Sequence, residues 1–175
     1  MKPFHVLLAG SLLSFSTSAV TADPVFDGHA LHISAVDVEE QPGLYQQIEL
    51  RPAGDDLWRL HSIREGVTLR NIENVSLVVT DSTPVQVFLK VEGKYMNGCE
   101  ELGHVSKRYD AGTQTLHVFM YYRHVPEGIA CTADVRDFEL IEPLPVYGAE
   151  AGEYTVTLND EYELPLGFAE RNVLK

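Results

Sequence analysis

Two cysteines stand in this chain, Cys99 in "KYMNGCEEL" and Cys131 in "EGIACTADV", both in turn-like settings. Such a pair can be a redox couple, two ligands of a metal, a nucleophile with a bystander, or a cross-link. Neither lies in a C-x-x-C unit, which weakens the redox reading. Two thiolates alone would need further metal ligands from elsewhere. A nucleophilic Cys99 would need Cys131 to be spare, together with a base and an orienting group. The compartment weighs most among these choices.

The first residues, "MKPFHVLLAGSLLSFSTSAVTADP", bear on that compartment. Lys2 is followed by an apolar stretch from Phe4 to about Phe15, then by small residues ending in "VTA" before Asp23. This is the layout of a secretory signal peptide over residues 1–22, too short for a membrane span. The competing reading is a buried N-terminal strand or helix. A lipoprotein would carry cysteine after "LLAG"; Ser11 stands there instead, so no lipid anchor is expected. No later stretch reaches the roughly 18 apolar residues of a spanning helix. The expectation is a soluble protein, periplasmic or secreted. In an oxidising compartment an even cysteine count reads as a disulfide, so Cys99 and Cys131 are expected to be joined.

Other chemistry is thin. His29 and His32 in "DGHALH" lie near Asp27 and could hold Zn²⁺ or Cu²⁺ if the segment wrapped an ion. On extended chain, residues three apart face opposite ways, so two solvated histidines are the plainer reading. His117 shares a strand face with Arg123 and His124 with Tyr122, without forming an evident pair. The acidic pairs Glu39-Glu40, Asp55-Asp56 and Glu100-Glu101 are adjacent, which on a strand points them apart and makes poor shared-proton dyads. No G-x-S-x-G and no glycine-rich phosphate cradle occurs, and "LNDEYE" does not follow the helix–loop–helix calcium spacing. "NVS" at Asn74 matches a glycosylation acceptor within a strand-like stretch. Neither a cofactor nor an enzymatic activity is expected.

The elements that would position any site have period two. "ALHISAVDV" (30–38), "LYQQIEL" (44–50) and "LWRLHSI" (57–63) are separated by the turn signals "EEQPG" and "RPAGDD", as in an antiparallel meander. "IENVSLVVT" (72–80) follows, then "VQVFLKVE" (85–92), with Val85, Val87, Leu89 and Val91 on one face and Gln86, Phe88 and Lys90 on the other. "QTLHVFMYYRHV" (114–125) has large residues on both faces and is expected to be central, or covered on its second side. "RDFELIEPLPV" (136–146) is a weaker strand, and "EYTVTLNDEYELPL" (153–166) a hairpin turning at Asn159-Asp160. Residues 97–109 read as a turn into a short strand, because Gly98 and Gly103 oppose a helix. The fold class is all-β, with a second sheet needed to cover the apolar rows of 85–91 and 116–122. The domain plan is a leader over 1–22, an N-terminal meander over 23–70, and a sandwich over 71–175.

The formal net charge is −13, and loss of the leader with its single lysine makes it −14. Such a polyanion repels nucleic acid and anionic lipid, so neither is an expected partner. Aromatic residues give the clearest binding signal. Phe88, Phe119 and Tyr121 would form a patch for a glycan or a protein if their strands paired. The favoured alternative is that the meander packs over them, since it needs a surface for Leu31, Ile33, Tyr45 and Ile48.

The second half resembles a pattern of exported bacterial proteins of uncharacterised function. Its elements here are "PVQVFLKVEG", "NGCEEL", "TLHVFMYYR", "ACTADVRDFEL" and "AGEYTVTLND", over about residues 84–160. The resemblance implies an immunoglobulin-like antiparallel β-sandwich, with the meander as an N-terminal extension, and no particular activity. In Gly152-x-Tyr154-x-Val156 a tyrosine opens a late strand after a glycine. That suits either a tyrosine corner, whose hydroxyl bonds back to upstream backbone, or an ordinary buried aromatic. An antibody-type domain would carry cysteine where Val156 stands, so its central bridge is not carried over. The expected role is an exported, soluble, non-enzymatic binding or structural module. The alternatives are a periplasmic metal-binding protein using His29 and His32, or an inhibitor or accessory subunit acting through an exposed edge strand.

Overall fold

A computed structural model describes residues 23–175; the leader read over 1–22 lies outside the described residues. The described chain forms β1 (Val25–Phe26), β2 (Leu31–Val36), β3 (Tyr45–Gly54), β4 (Leu57–Glu65), β5 (Ile72–Val79), β6 (Val87–Tyr95), β7 (Leu102–Asp110), β8 (Thr115–Tyr122), β9 (Arg136–Pro143), β10 (Gly152–Leu158) and β11 (Tyr162–Phe168). No helix occurs among the described residues. The strands make three sheets, ordered β1-β2-β3-β4, β11-β10-β8-β7 and β5-β6-β9.

The second and third sheets form a β-sandwich, and the reason is the side-chain alternation. On β6, Val87, Leu89, Val91, Gly93 and Tyr95 are buried, while Phe88, Lys90, Glu92 and Lys94 are only partly covered. The inward row meets Leu116, Val118 and Met120 of β8, Val156 and Leu158 of β10, and Leu166 and Phe168 of β11 in one core. Each such side chain contributes about 1.5–3 kcal/mol by leaving water, which neither sheet could gain alone. Consecutive strands often lie in opposite sheets: β6 and β9 share one, β7 and β8 the other. Because the chain crosses over through β9 before β10, it re-enters beside β8 in the same direction. The β8–β10 pair is parallel, from Thr115↔Thr155 to Val118↔Leu158. It departs from the antiparallel pairing expected throughout.

β7 is longer than the short strand expected there. Gly103 lies in an irregularity of the β7–β8 ladder between Leu102 and Val105. A Cβ on it would come within 2.6 Å of the Arg123 backbone, so the glycine permits close approach to the chain after β8 rather than interrupting the strand.

The meander is tied to the sandwich by a continuous run of backbone bonds. The Leu69 amide donates to Met120 O (2.7 Å) and the Tyr122 amide to Val67 O (2.8 Å), so the segment after β4 lies along β8. The β2–β3 loop then caps the outer side of β7 and β8. The Tyr121 hydroxyl donates to Pro42 O (2.5 Å) and accepts from Gln41 Nε2 (3.2 Å). Ser106 Oγ donates to the Asp37 carboxylate (3.0 Å), and an Arg108 guanidinium nitrogen to Val38 O (2.8 Å). Gly43, with φ +72°, lies where a Cβ would be 2.7 Å from the Ser106 Cβ, so only glycine fits this contact.

His104 makes this junction sensitive to pH. Its ring stacks near Tyr121, with centroids 6.2 Å apart. Burial pushes its pKa below the usual 6.5, and nearby Asp37 only partly opposes this. The folded state therefore favours neutral imidazole, and below about pH 6.5 the unfolded chain binds a proton that the folded chain does not. Stability is then fully present above that pH and falls as pH drops toward the lowered folded value. Denaturant unfolding at about pH 7.5 and pH 5.5 should show the decline, at most about 1.4 kcal/mol per pH unit for one proton. His104→Gln should flatten the slope; an unchanged slope would remove His104 from the explanation.

Candidate functional site

Cys99 and Cys131 form the expected disulfide, with Cα atoms 5.3 Å apart. Tyr154 donates its hydroxyl to Glu150 O, four residues upstream, at 3.0 Å. The aromatic patch does not exist as an open surface. Phe119 is 2% and Tyr121 0% exposed, beneath the loop that carries Pro42. Phe88 belongs to the other sheet of the sandwich, so the three rings never share a face. Strands that neighbour each other in pattern were separated by the crossover between sheets.

His32 Nε2 lies 3.0 Å from Asp27 Oδ2, and the other oxygen of Asp27 accepts the amides of His29 and Ala30 at 2.8 Å each. Those backbone bonds, with the His32 contact, hold the Asp27 carboxyl far below the usual carboxylate range. Asp27 thus closes a tight turn between β1 and β2. Among the described residues no three His, Cys, Asp or Glu side chains converge to hold a metal ion. A small cleft near the end of β4 is lined by Gln46, Arg64, Arg123 and His124 among others. Arg123 there is paired with Glu101 at 3.0 Å.

The β3–β4 ribbon is exposed over most of its outer length. Asp55 and Asp56, both with positive φ, form the two-residue turn between Gly54 and Leu57. That geometry matches the right-handed twist of the strands and suits Asp. The adjacent carboxylates are turn residues, not a dyad. β4 pairs only with β3 and is the edge of its sheet. Direct cross-strand partners run Phe26↔Leu31, Leu31↔Leu50 and Leu50↔Leu60, one apolar row across all four strands. Beside it Trp58 meets Phe26 edge-to-face, with centroids 5.7 Å apart. Nearby Ile48 on the same face is buried, but the row stays wet at its outer end: Trp58 is 48% exposed, with Phe26 and Leu60 about half exposed, and Leu57, next along β4, is 64% exposed on the reverse face.

The reverse face carries two arginines and one carboxylate. Arg51 and Arg59 are direct cross-strand partners, an arrangement that repels. His32 pairs with Glu49 on the same face, and Glu49 takes the Arg51 Nε–H at 2.6 Å. That bond, helped by the fields of Arg51, His61 and His32, lowers the Glu49 pKa. Arg59 and Arg64 make no ion pair among the described residues, in a chain of formal net charge −13. The spacing predicts a strand over 57–63, and its exposure on both faces follows from the lack of a layer packed over it, which pattern alone does not report.

Comparison with known proteins bears on the sandwich. Residues 89–166 match the model of the ORF11 beta-sandwich domain. The match begins within β6 and ends within β11, leaving the meander and its ribbon outside. No curated protein matches the chain, and no solved structure does.

Proposed function

We propose that this protein is an exported, soluble, non-enzymatic binding module, and that the β3–β4 ribbon is the element that contacts its partner. One observation carries the reading: an aromatic and aliphatic cluster, Phe26, Trp58 and Leu60, is left in water on one face of a sheet that ends at the free edge of β4, with Leu57 exposed on the other face. Contiguous exposed apolar surface of this kind marks interaction sites. The leader-like residues 1–22 and the disulfide support export to the periplasm or outside the cell. The Tyr154–Glu150 bond supports kinship with immunoglobulin-like sandwiches of exported bacterial proteins. The free edge favours a role as inhibitor or accessory subunit over glycan binding, because a strand edge recognises backbone. The metal-handling alternative through His29 and His32 has only the Asp27–His32 contact in its favour.

The test is site-specific photo-crosslinking in the exporting cell. A photoreactive residue replacing Leu57 should give a discrete covalent adduct. One replacing Val79, an exposed apolar residue on β5, should give none. Equal adducts from both positions, or none from position 57, would sink the assignment.

A further inference from the structure

We infer that the free edge of β4 takes an extended segment of a partner protein in which apolar and acidic residues alternate; this rests on the ribbon being the partner-contacting element. A strand added beside β4 would continue both faces of the sheet. Its side chains would point alternately to the apolar face, beside Leu60 and Trp58, and to the reverse face, beside Arg59. Period-two alternation of apolar and acidic residues is the one pattern that answers both. Carboxylates would relieve the Arg51–Arg59 repulsion and pair a guanidinium that has no ion-pair partner among the described residues.

The same features argue against the other occupants. A second copy pairing β4 with β4 in antiparallel fashion would be related by a two-fold axis perpendicular to the sheet, which keeps like faces together. Both copies' arginines would then share one face, a repulsion of the kind that discourages edge-to-edge association. An anionic membrane would set a wide plane of negative charge against a chain whose formal charge is −13, whereas one added strand places its few carboxylates within a Debye length of Arg51 and Arg59.

Trp58 is the sole tryptophan, so its emission reports on this surface alone. Random displayed peptides would be selected on the full exported chain. Recovered peptides would then be titrated against the parent and an Arg51→Glu/Arg59→Glu variant, following Trp58 emission and amide exchange in β4. The expected result is enrichment of alternating apolar–acidic peptides that shift Trp58 emission to the blue and slow β4 exchange. Binding should weaken about tenfold or more in the double variant, the scale of a lost charge-assisted hydrogen bond. Both positions are solvent-facing, and an unchanged melting temperature confirms that the variant folds. Peptides that shift Trp58 but lack acidic residues, or bind the double variant equally, overturn this inference and leave the ribbon as a binding element. Peptides that never perturb Trp58 or β4 overturn both. A blue shift with phosphatidylglycerol vesicles and none with peptides assigns a membrane instead. A blue shift on concentrating the protein alone, with dimer in sedimentation, assigns a second copy.

Discussion

Replacing both cysteines, as Cys99→Ala/Cys131→Ala, should lower the melting temperature by about 10 °C while leaving the fold intact. The bond joins residues 32 apart in sequence, and the loop-entropy model assigns a loop of that size about 3–4 kcal/mol. What the loop contains makes this credible. Cys99 lies in the β6–β7 connection and Cys131 in the β8–β9 connection. Each of these connections passes from one sheet of the sandwich to the other. The disulfide therefore ties two crossovers at one end of the sandwich and encloses β7 and β8. The β8–β9 connection has no regular structure and is exposed over most of its length, so little else restrains it.

Non-covalent ties at the same place should survive the change and preserve the native arrangement. The Gly98 amide donates to Thr132 O (3.0 Å), and the Arg136 guanidinium donates to Glu100 O (2.9 Å) while lying over the Tyr95 ring. The effect should thus appear as a shift in unfolding midpoint with little change in the near-ultraviolet spectrum. Thermal melts of the parent, the double variant and the reduced parent form the measurement. A shift within about 2 °C would mean that the loop is held by other contacts, and two free thiols in the protein purified without reductant would refute the staple directly.

Much of the sandwich was legible in the sequence because its signal is local. The period-two rows of β6 and β8 place Val87, Leu89, Val91, Leu116, Val118 and Met120 in the core. The large residues on both sides of β8 announced a strand covered twice, and the Pro42 loop supplies the second cover. The cysteine pairing is legible from the even count together with an expected oxidising compartment. What stayed hidden depends on partners distant in sequence. The β8–β10 pair is parallel because β9 intervenes in the other sheet. Phe88 cannot join Phe119 for the same reason. In sequence the ribbon looks like ordinary strands, since alternation says which residues share a face but not whether anything covers it. Its two-sided exposure, and the facing Arg51 and Arg59, exist only once register is known.

Asn159 is the residue whose importance is least visible in sequence, and its replacement should be nearly as costly as loss of the disulfide. The sequence marks it as the first residue of a turn, and Asn159 and Asp160 both have positive φ, with the Glu161 amide donating to Leu158 O at 3.0 Å. Its side chain does more. β10 lies beside β8 only as far as Leu158↔Val118, where the chain turns away. The next stretch of that β8 edge is occupied by residues 67–69. Between the two segments the Met120 amide donates to Asn159 Oδ1 (2.9 Å), and Asn159 Nδ2 donates to Leu69 O (3.1 Å). The carboxamide stands in for a missing backbone unit and splices β10 to the segment arriving from the meander, in a buried position. Asn159→Ala would strand a buried donor and a buried acceptor, at about 1–3 kcal/mol each, and would add strain at a left-handed position. Asn159→Gly separates the two causes, because glycine accepts that backbone yet lacks the carboxamide. If hydrogen bonding dominates, both variants should lose about 3 kcal/mol or more in denaturant unfolding, with glycine only slightly less affected. Recovery of parental stability by Asn159→Gly would show that the turn, and not the splice, is what asparagine provides.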